Sequence, residues 1–203
     1  MSFEEVFKQI GEEPVFVRGT CIEEALFLLK VNRIEYKTKP SEIYAFPVYK
    51  SFKKLQIKSK LKIPQYYNIN RIRDEATAWA LSNNGDGSSL FVYGDRDHFG
   101  EFLKQGRMGV VIYFSKKILE LPYEQDDFRI DRSKELNAVK ISLDERFNPE
   151  YVLMVEPNGP MEHRILKDRL PKRIRLLDYL FNDFDEANDW ESDADTTEPF
   201  DFP

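Results

Sequence analysis

The stretch VFVRGTCIEEALFLL, residues 15–29, decides how the chain is organised, because it joins an apolar strand to an apolar helix. The run of apolar residues at its start predicts a buried strand over residues 15–18. Thr20 and Glu23 have the spacing of a capping box, which predicts a helix that begins there and ends near Asn32. We therefore expect a strand that runs directly into a helix packed against it.

Arg18 lies where this strand ends, and Gly19 and Thr20 follow it. A glycine lets a ligand approach the backbone closely, and the first turn of a helix offers free N–H groups to an anion. An arginine adds a planar fork that suits a phosphate or a carboxylate. The same pattern also fits a surface arginine at an ordinary turn, and the local sequence leaves both interpretations open.

The rest of the chain alternates between helix and strand patterns. Residues 70–83 have the apolar spacing of a helix, with Ile72, Ala76, Trp79 and Ala80 expected to face inward. Pro47 within a strand pattern predicts that this strand lies at a sheet edge or contains a bulge. The predicted strands cover residues 43–49, 89–93, 109–115, 136–142 and 151–156, and two helical pieces broken at Pro171 are predicted over residues 161–181.

This order, with helices early and strands late, predicts an α+β fold with a split, mostly antiparallel sheet and flanking helices. One domain over residues 1–181 is expected, followed by a disordered acidic tail over residues 182–203. The tail contains nine of the 36 acids and no Lys or Arg, which leaves 27 acids against 30 bases in the domain. An acidic chain is thus expected to be a mildly basic domain with an acidic tail.

Composition excludes several classes of function. No stretch approaches the roughly 18 uncharged apolar residues of a membrane span, and the N-terminus has acids where a signal peptide would have bases. We therefore expect a soluble, cytoplasmic protein without a membrane partner. One Cys and two His cannot supply a four-ligand zinc site of these residue types. The aspartates lack EF-hand spacing, so no metal is expected.

The stretch VFVRGTCIEEALFLLKVNRI resembles the opening of an ADP-ribosyltransferase domain, in which a strand ends in Arg-Gly-Thr or His-Gly-Thr and a helix follows. Later segments are similar to that family in the same order: IYAFPVY, RDEATAWALS, GVVIYFS and ELNAVKISLDERFNPEYVLMV. The resemblance covers about residues 14–156. It implies an α+β split-sheet fold that binds NAD as a substrate and transfers ADP-ribose.

The resemblance also implies roles for particular residues. Arg18 would bind the phosphate or ribose of NAD, and Gly19 and Thr20 would line the nicotinamide pocket. Tyr44 is the nearest aromatic residue for stacking on nicotinamide, because the family's Ser-Thr-Ser motif is missing from this strand. Glu135 would be the catalytic glutamate.

A glutamate suits this chemistry because cleavage of the bond between nicotinamide and ribose builds positive charge on the ribose. A nearby carboxylate stabilises that charge and can orient an acceptor. Glu150 and Glu156 compete with Glu135 for the role, although Glu150 is placed more like the family's structural Pro-Glu-Tyr turn. Glu135 could equally be a solvated acid at a strand end.

A basic stretch of the sequence supports a second prediction, which concerns a binding partner. Residues 43–73 contain no acid, and aromatic residues are interleaved with their bases. Lysines contact phosphates and aromatic rings stack on unpaired bases, so we expect a nucleic-acid partner through residues 50–73. The alternative is a lysine-rich edge hairpin whose charges prevent aggregation. The candidate residues are Lys50, Lys53, Lys54, Lys58, Lys60, Lys62, Arg71 and Arg73.

The tail, which ends in EPFDFP, resembles the acidic C-terminal tips of single-stranded-DNA-binding proteins. A protein partner that binds the tail is therefore expected, and the tail could also fold back on the basic stretch at residues 50–62. The alternative is a tail that only improves solubility.

Two hypotheses of different classes follow from these features. The first is an ADP-ribosyltransferase-like enzyme that uses NAD and modifies a macromolecule, nucleic acid being one candidate. The second is a nucleic-acid-binding protein without catalytic activity, regulated by its acidic tail. The sequence leaves the acceptor, the oligomeric state and the biological setting open.

Overall fold

The computed structural model describes residues 3–30, 34–36, 41–55, 61, 63, 65, 68–83, 91–93, 109–129, 137–143 and 145–177. The predicted tail lies outside these ranges. Within them, the helices are α1 Phe3–Ile10, α2 Ile22–Leu28, α3 Tyr49–Lys54, α4 Ile69–Asn83 and α5 Pro160–Lys167. The strands are β1 Phe16–Cys21, β2 Ile34–Tyr36, β3 Glu42–Pro47, β4 Phe91–Tyr93, β5 Gly109–Phe114, β6 Tyr123–Arg129, β7 Asn137–Ser142, β8 Val152–Pro157 and β9 Arg175–Leu176.

Seven strands form one sheet in the order β6-β7-β3-β1-β5-β8-β9. Every neighbouring pair in it is antiparallel except β8 and β9, which are parallel. A second, two-stranded sheet pairs β2 with β4. The predicted α+β class and the mostly antiparallel sheet are therefore confirmed.

Strand β1 lies in the middle of this sheet because both of its faces are apolar and buried. Phe16 faces a cluster that includes the apolar side of α2, and Val17 faces a second cluster with α1 and α4. Ile72, Ala76 and Ala80 of α4 are buried, as the helical spacing predicted, while the side chain of Trp79 lies outside the described part.

The pairing of β1 is unequal on its two sides. It pairs with β5 along its whole length, from Phe16 to Cys21. It pairs with β3 only at two positions, Phe16 with Pro47 and Val17 with Phe46. Beyond Val17 the backbones of the two strands no longer pair with each other, which leaves an opening in the ladder on this side of β1.

The prediction that Pro47 would place its strand at an edge or in a bulge is wrong. Strand β3 lies between β7 and β1. Pro47 is its last residue, where a missing N–H costs the ladder little, and the backbone N–H of Val48 donates to the carbonyl of Val15 at 2.9 Å. A proline at the end of a strand is compatible with an interior position.

The predicted turn and capping box at Thr20 are also wrong. Strand β1 continues through Gly19 and Thr20 to Cys21, because Thr20 pairs with Val110 of β5. The N-cap of α2 is Cys21, which makes no side-chain capping hydrogen bond, and α2 ends at Leu28.

Three further segments differ from the expectations. The second helical piece predicted after Pro171 contains strand β9 instead, which pairs with β8. Strands β2 and β6 were not predicted, and the sequence of β6, YEQDDFR, is too polar to suggest a strand.

Among the described residues, none of the helices has the length and apolar character that crossing a bilayer requires.

Candidate functional site

The opening between β1 and β3 contains the guanidinium of Arg18. Its Nε and Nη2 donate to the two carboxylate oxygens of Glu24 at 2.5 and 2.7 Å. Its Nη1 donates to the backbone carbonyl of Tyr44 at 2.6 Å. Arg18 thus supplies a donor to a β3 carbonyl just where the backbone of β1 no longer pairs with β3.

This ion pair is largely shielded from water, since the Arg18 and Glu24 side chains are 12% and 8% exposed. Arg18 is therefore not a solvated surface residue, which was one of the two interpretations of its sequence. Its positive charge is already matched by a carboxylate from the first turn of α2. An incoming anion would meet a pair with no net charge, so Arg18 would attract it less strongly than an unpaired guanidinium would.

Tyr44 connects the opening to the outer strands of the sheet. Its hydroxyl donates to Oε1 of Glu42 at 3.1 Å. The ammonium of Lys140 on β7 lies 3.6 Å from Glu42 and 2.8 Å from Glu124 of β6. The hydrogen bond to Glu124, with the charges of both carboxylates, raises the pKa of Lys140 above its usual value. An aromatic ring, two acids and a base therefore lie beside the opening.

Gly19 is needed for the close packing of α4 against β1. A Cβ at this position would lie 1.7 Å from the carbonyl oxygen of Ala76 on α4. The helix backbone thus occupies one face of Gly19, and the backbone pairing with β3 has ended before this residue. Thr20 is buried on the opposite face of the strand. The roles of Gly19 and Thr20 in a nicotinamide pocket stay predictions.

Glu135 lies outside the described residues. The described part of this segment begins at Asn137, the first residue of β7. The two rival glutamates are both engaged in contacts. Glu150 is exposed in the 3-10 turn Pro149–Tyr151, and its carboxylate lies 3.5 Å from Lys117.

Glu156 is buried on β8, where three hydrogen bonds satisfy it. Nε and Nη2 of Arg73 donate to its Oε1 at 2.8 and 2.6 Å, and the hydroxyl of Tyr113 donates to its Oε2 at 2.6 Å. These contacts tie α4, β5 and β8 together under the α4 face of the sheet. They give Glu156 a structural role that the sequence did not indicate.

The structure places the described residues of the predicted nucleic-acid site on two helices, α3 and α4. Lys50, Lys53 and Lys54 are exposed on α3, so the alternative of an edge hairpin is wrong for them. Arg71 pairs with Glu75 on the same helix at 2.5 Å, and Arg73 pairs with the buried Glu156. The lysines at positions 58, 60 and 62 lie outside the described residues.

A groove of about 720 Å³ lies between α1 and the start of α3 and is lined by Phe7, Lys8, Val48, Lys50 and Lys54 among others. Glu13 also lines it, and its carboxylate lies 3.8 Å from the ammonium of Lys50 and 3.7 Å from that of Lys54. Lys8 and Glu13 were not candidates in the sequence, because they come from a segment that is far from the basic stretch along the chain.

A second buried carboxylate that the sequence did not single out is Glu162, in the first turn of α5. Its Oε1 has no hydrogen-bond partner, and burial raises its pKa to about 7 against the lowering effect of the backbone N–H groups of Glu162 and Gly109. The sequence signal is its place in the first turn of a helix that begins with Gly159 and Pro160.

Within the described ranges, no group of three or more His, Cys, Asp or Glu side chains is arranged to hold a metal ion. What the opening offers chemically is a buried ion pair and an aromatic ring. No family model, no curated protein and no solved structure matches this chain.

Proposed function

We propose that this chain is an NAD-dependent ADP-ribosyltransferase-like protein that modifies a macromolecule, with nucleic acid as one candidate acceptor. The observation that supports the proposal is the opening of the sheet after Val17, where β1 and β3 stop pairing beside Arg18 and Tyr44. These are the residues for which the sequence resemblance implies contact with NAD.

The reaction needs a cleft that admits the nicotinamide end of NAD and a carboxylate beside the ribose. The bond between C1′ of the ribose and the nicotinamide nitrogen breaks, and the electron pair leaves with nicotinamide. A nucleophile of the acceptor then bonds to C1′ and loses its proton. In our proposal Tyr44 stacks on the nicotinamide, and Glu135 stabilises the charge on the ribose.

The geometry adds a structural role to the one expected for Arg18. A guanidinium that is bound to Glu24 and to the Tyr44 carbonyl fixes the backbone that carries the aromatic ring. We propose that Arg18 first shapes the cleft, and that its contact with the phosphate or ribose of NAD is made from this held position. Replacement of Arg18 alone would then test the fold as well as binding.

The experiment that tests the proposal is NAD turnover by the full chain. Purified protein is incubated with NAD labelled in its adenylate part, with DNA, RNA or a protein mixture as acceptor. Nicotinamide release and label transfer that disappear in Glu135→Gln would support the enzyme. Turnover that persists in Glu135→Gln would remove Glu135 from its role.

Binding is measured separately by calorimetry with NAD. Tyr44→Ala removes the ring but keeps the backbone carbonyl that Arg18 contacts, so we expect at least fivefold weaker binding, in line with about 1 kcal/mol or more for an aromatic contact. Tyr49→Ala removes a ring that is half-buried like that of Tyr44 but lies on α3, and it is the matched control for loss of a tyrosine. Absence of NAD binding by the wild-type protein would contradict the proposal.

A second function is favoured by one observation, the three exposed lysines of α3 beside the groove at α1. A protein that binds nucleic acid through them would lose affinity steeply as salt rises. Lys50→Glu with Lys53→Glu should abolish this binding, while Glu135→Gln should leave it unchanged. Salt-independent binding would argue against this function.

A further inference from the structure

The last described segment carries a dense positive charge that lies outside the proposed cleft. Residues 164–175 contain six bases and a single acid, Asp168. Five of these bases are exposed and have no acidic partner anywhere in the described part of the chain. We call this set the basic surface, and it consists of Arg164, Lys167, Lys172, Arg173 and Arg175.

Two members of the basic surface, Arg173 and Arg175, line a groove of about 480 Å³ between α1 and the sheet edge at β8 and β9. Ile10 of α1 and Leu153 of β8 form an apolar part of its wall. The groove therefore combines arginines with apolar side chains, which suits a ligand that carries acids and aromatic rings together.

The acids that line the same groove are already engaged. Glu150 lies 3.5 Å from the ammonium of Lys117, and Oε1 of Glu12 accepts a hydrogen bond from the backbone N–H of Lys116 at 2.9 Å. Neither carboxylate is paired with Arg173 or Arg175, and the groove has three bases, with Lys117, against two acids. An excess of positive charge in a groove, with further exposed bases nearby in the sequence, favours an anionic partner.

We propose that the acidic segment 182–203 of this same chain binds the basic surface. The segment has nine acids and no Lys or Arg, and its aromatic residues Phe184 and Trp190 lie among those acids. Its charge and its rings match the arginines and the apolar wall of the groove.

The position of the segment along the chain strengthens the proposal. Residue 182 follows Leu177, the last described residue, by five positions, a span of at most about 18 Å. A tether of this length gives the segment an effective concentration on the order of millimolar at a nearby surface. Weak ion pairs that would not hold a separate peptide can then hold this one.

The basic surface also suits the segment better than α3, which is the other basic region. Lys50 and Lys54 of α3 share the carboxylate of Glu13, whereas the bases of the basic surface have no such partner among the described residues. Binding at residues 164–175 would cover these bases and would leave the lysines of α3 accessible.

The test uses the full chain and a water-soluble carbodiimide, which joins a carboxylate to a lysine only when the two are in contact. Mass spectrometry then locates the joined residues. We expect cross-links from acids of residues 182–203 to Lys167, Lys172 or Lys117, at a yield independent of protein concentration. Their yield should fall severalfold in 1 M salt, since ion pairs are screened within about 3 Å there.

The variant Arg173→Glu with Arg175→Glu keeps every lysine and should lower the yield of these cross-links roughly tenfold. Lys50→Glu with Lys53→Glu is the matched control on α3 and should leave them unchanged. Cross-links that map to α3, that form only between two molecules, or that are absent altogether would each overturn the proposal. Circular dichroism of both variants checks that the fold is kept.

Discussion

Arg18 and Glu24 form a bidentate ion pair inside the protein, with Nε 2.5 Å from Oε1 and Nη2 2.7 Å from Oε2. The pair joins the central strand of the sheet to the first turn of α2, and the same guanidinium bonds the carbonyl of Tyr44. One side chain therefore connects three elements at the place where the sheet opens. Its removal should affect stability and the shape of the opening together.

Arg18→Met should destabilise the protein by about 3–5 kcal/mol, because it leaves the buried Glu24 carboxylate without a counter-charge. The double variant Arg18→Met with Glu24→Leu should recover more than half of this loss, since no buried charge then remains. Urea denaturation of both variants measures the free energy of unfolding. A single variant as stable as the wild type would mean that water reaches the pair.

Tyr113→Phe should cost about 1–3 kcal/mol, because it removes the hydroxyl that donates to Oε2 of the buried Glu156 at 2.6 Å. Tyr151→Phe is the matched control, since its hydroxyl lies 3.2 Å from Glu120 in a less buried place. We expect less than about 1 kcal/mol for the control. Equal losses in thermal or urea unfolding would contradict the role assigned to the Tyr113 hydroxyl.

Gly19→Ala should be the most damaging glycine replacement in the described part of the chain. The added methyl group would lie 1.7 Å from the Ala76 carbonyl oxygen, so α4 must move away from β1. Overpacking of this kind costs about 1–3 kcal/mol or more. A protein whose stability is unchanged in Gly19→Ala would show that α4 is not held closely on β1.

Gly11→Ala is the comparison for that variant. Gly11 ends α1 with a φ of 78° and has open space where a Cβ would be. Only backbone strain of about 1–2 kcal/mol is expected there, because a side chain rarely adopts this conformation. The order of the two losses, with Gly19→Ala the larger, separates crowding from strain.

Glu162 predicts a dependence of stability on pH. Burial raises its folded pKa to about 7, above the usual value of 4.5, so the folded state holds a proton that the unfolded state has lost between these values. The contribution of this proton to the free energy of unfolding is full below pH 4.5. It decreases as pH rises toward 7, by at most about 1.4 kcal/mol per pH unit. The free energy of unfolding should therefore fall across this window.

Glu162→Gln removes the titrating group and keeps the shape of the side chain. Subtraction of its urea-unfolding profile from that of the wild type, between pH 5 and 7.5, isolates the contribution of Glu162 from those of other groups. A difference that does not change with pH would show that the carboxyl titrates normally. Gln should be at least as stable as Glu at pH 7.5, where the wild type holds a buried charge.

The core of the fold followed from local pattern in the sequence. The apolar runs of β1, β5 and β8 and the helical spacing of α4 were recognisable because one face or both faces of each element are buried. Strand β6 was not recognisable, since its polar sequence pairs with β7 at the outer end of the sheet. The prediction for the strand that contains Pro47 was wrong because the effect of a proline on a sheet depends on whether it lies within a strand or at its end.

The candidate site was only partly predictable, for a related reason. Arg18, Gly19 and Tyr44 attracted attention by residue type and by their place in the pattern. The partners that decide what these residues do come from other elements: Glu24 from α2, and Ala76 from α4. Glu156 likewise meets Arg73, which lies 83 positions away along the chain.

Residue order thus established the central apolar elements, the α+β class and the separation of a mildly basic body from an acidic terminal segment, because these depend on local hydrophobic period and on charge count. Folding decided which charges meet. Arg18 is neutralised by Glu24 and Arg73 by Glu156, while Arg173 and Arg175 have no acidic partner in the described chain. Ion pairing acts over a few ångströms in space, and distances of that kind between remote segments exist only once the sheet and its helices have packed together.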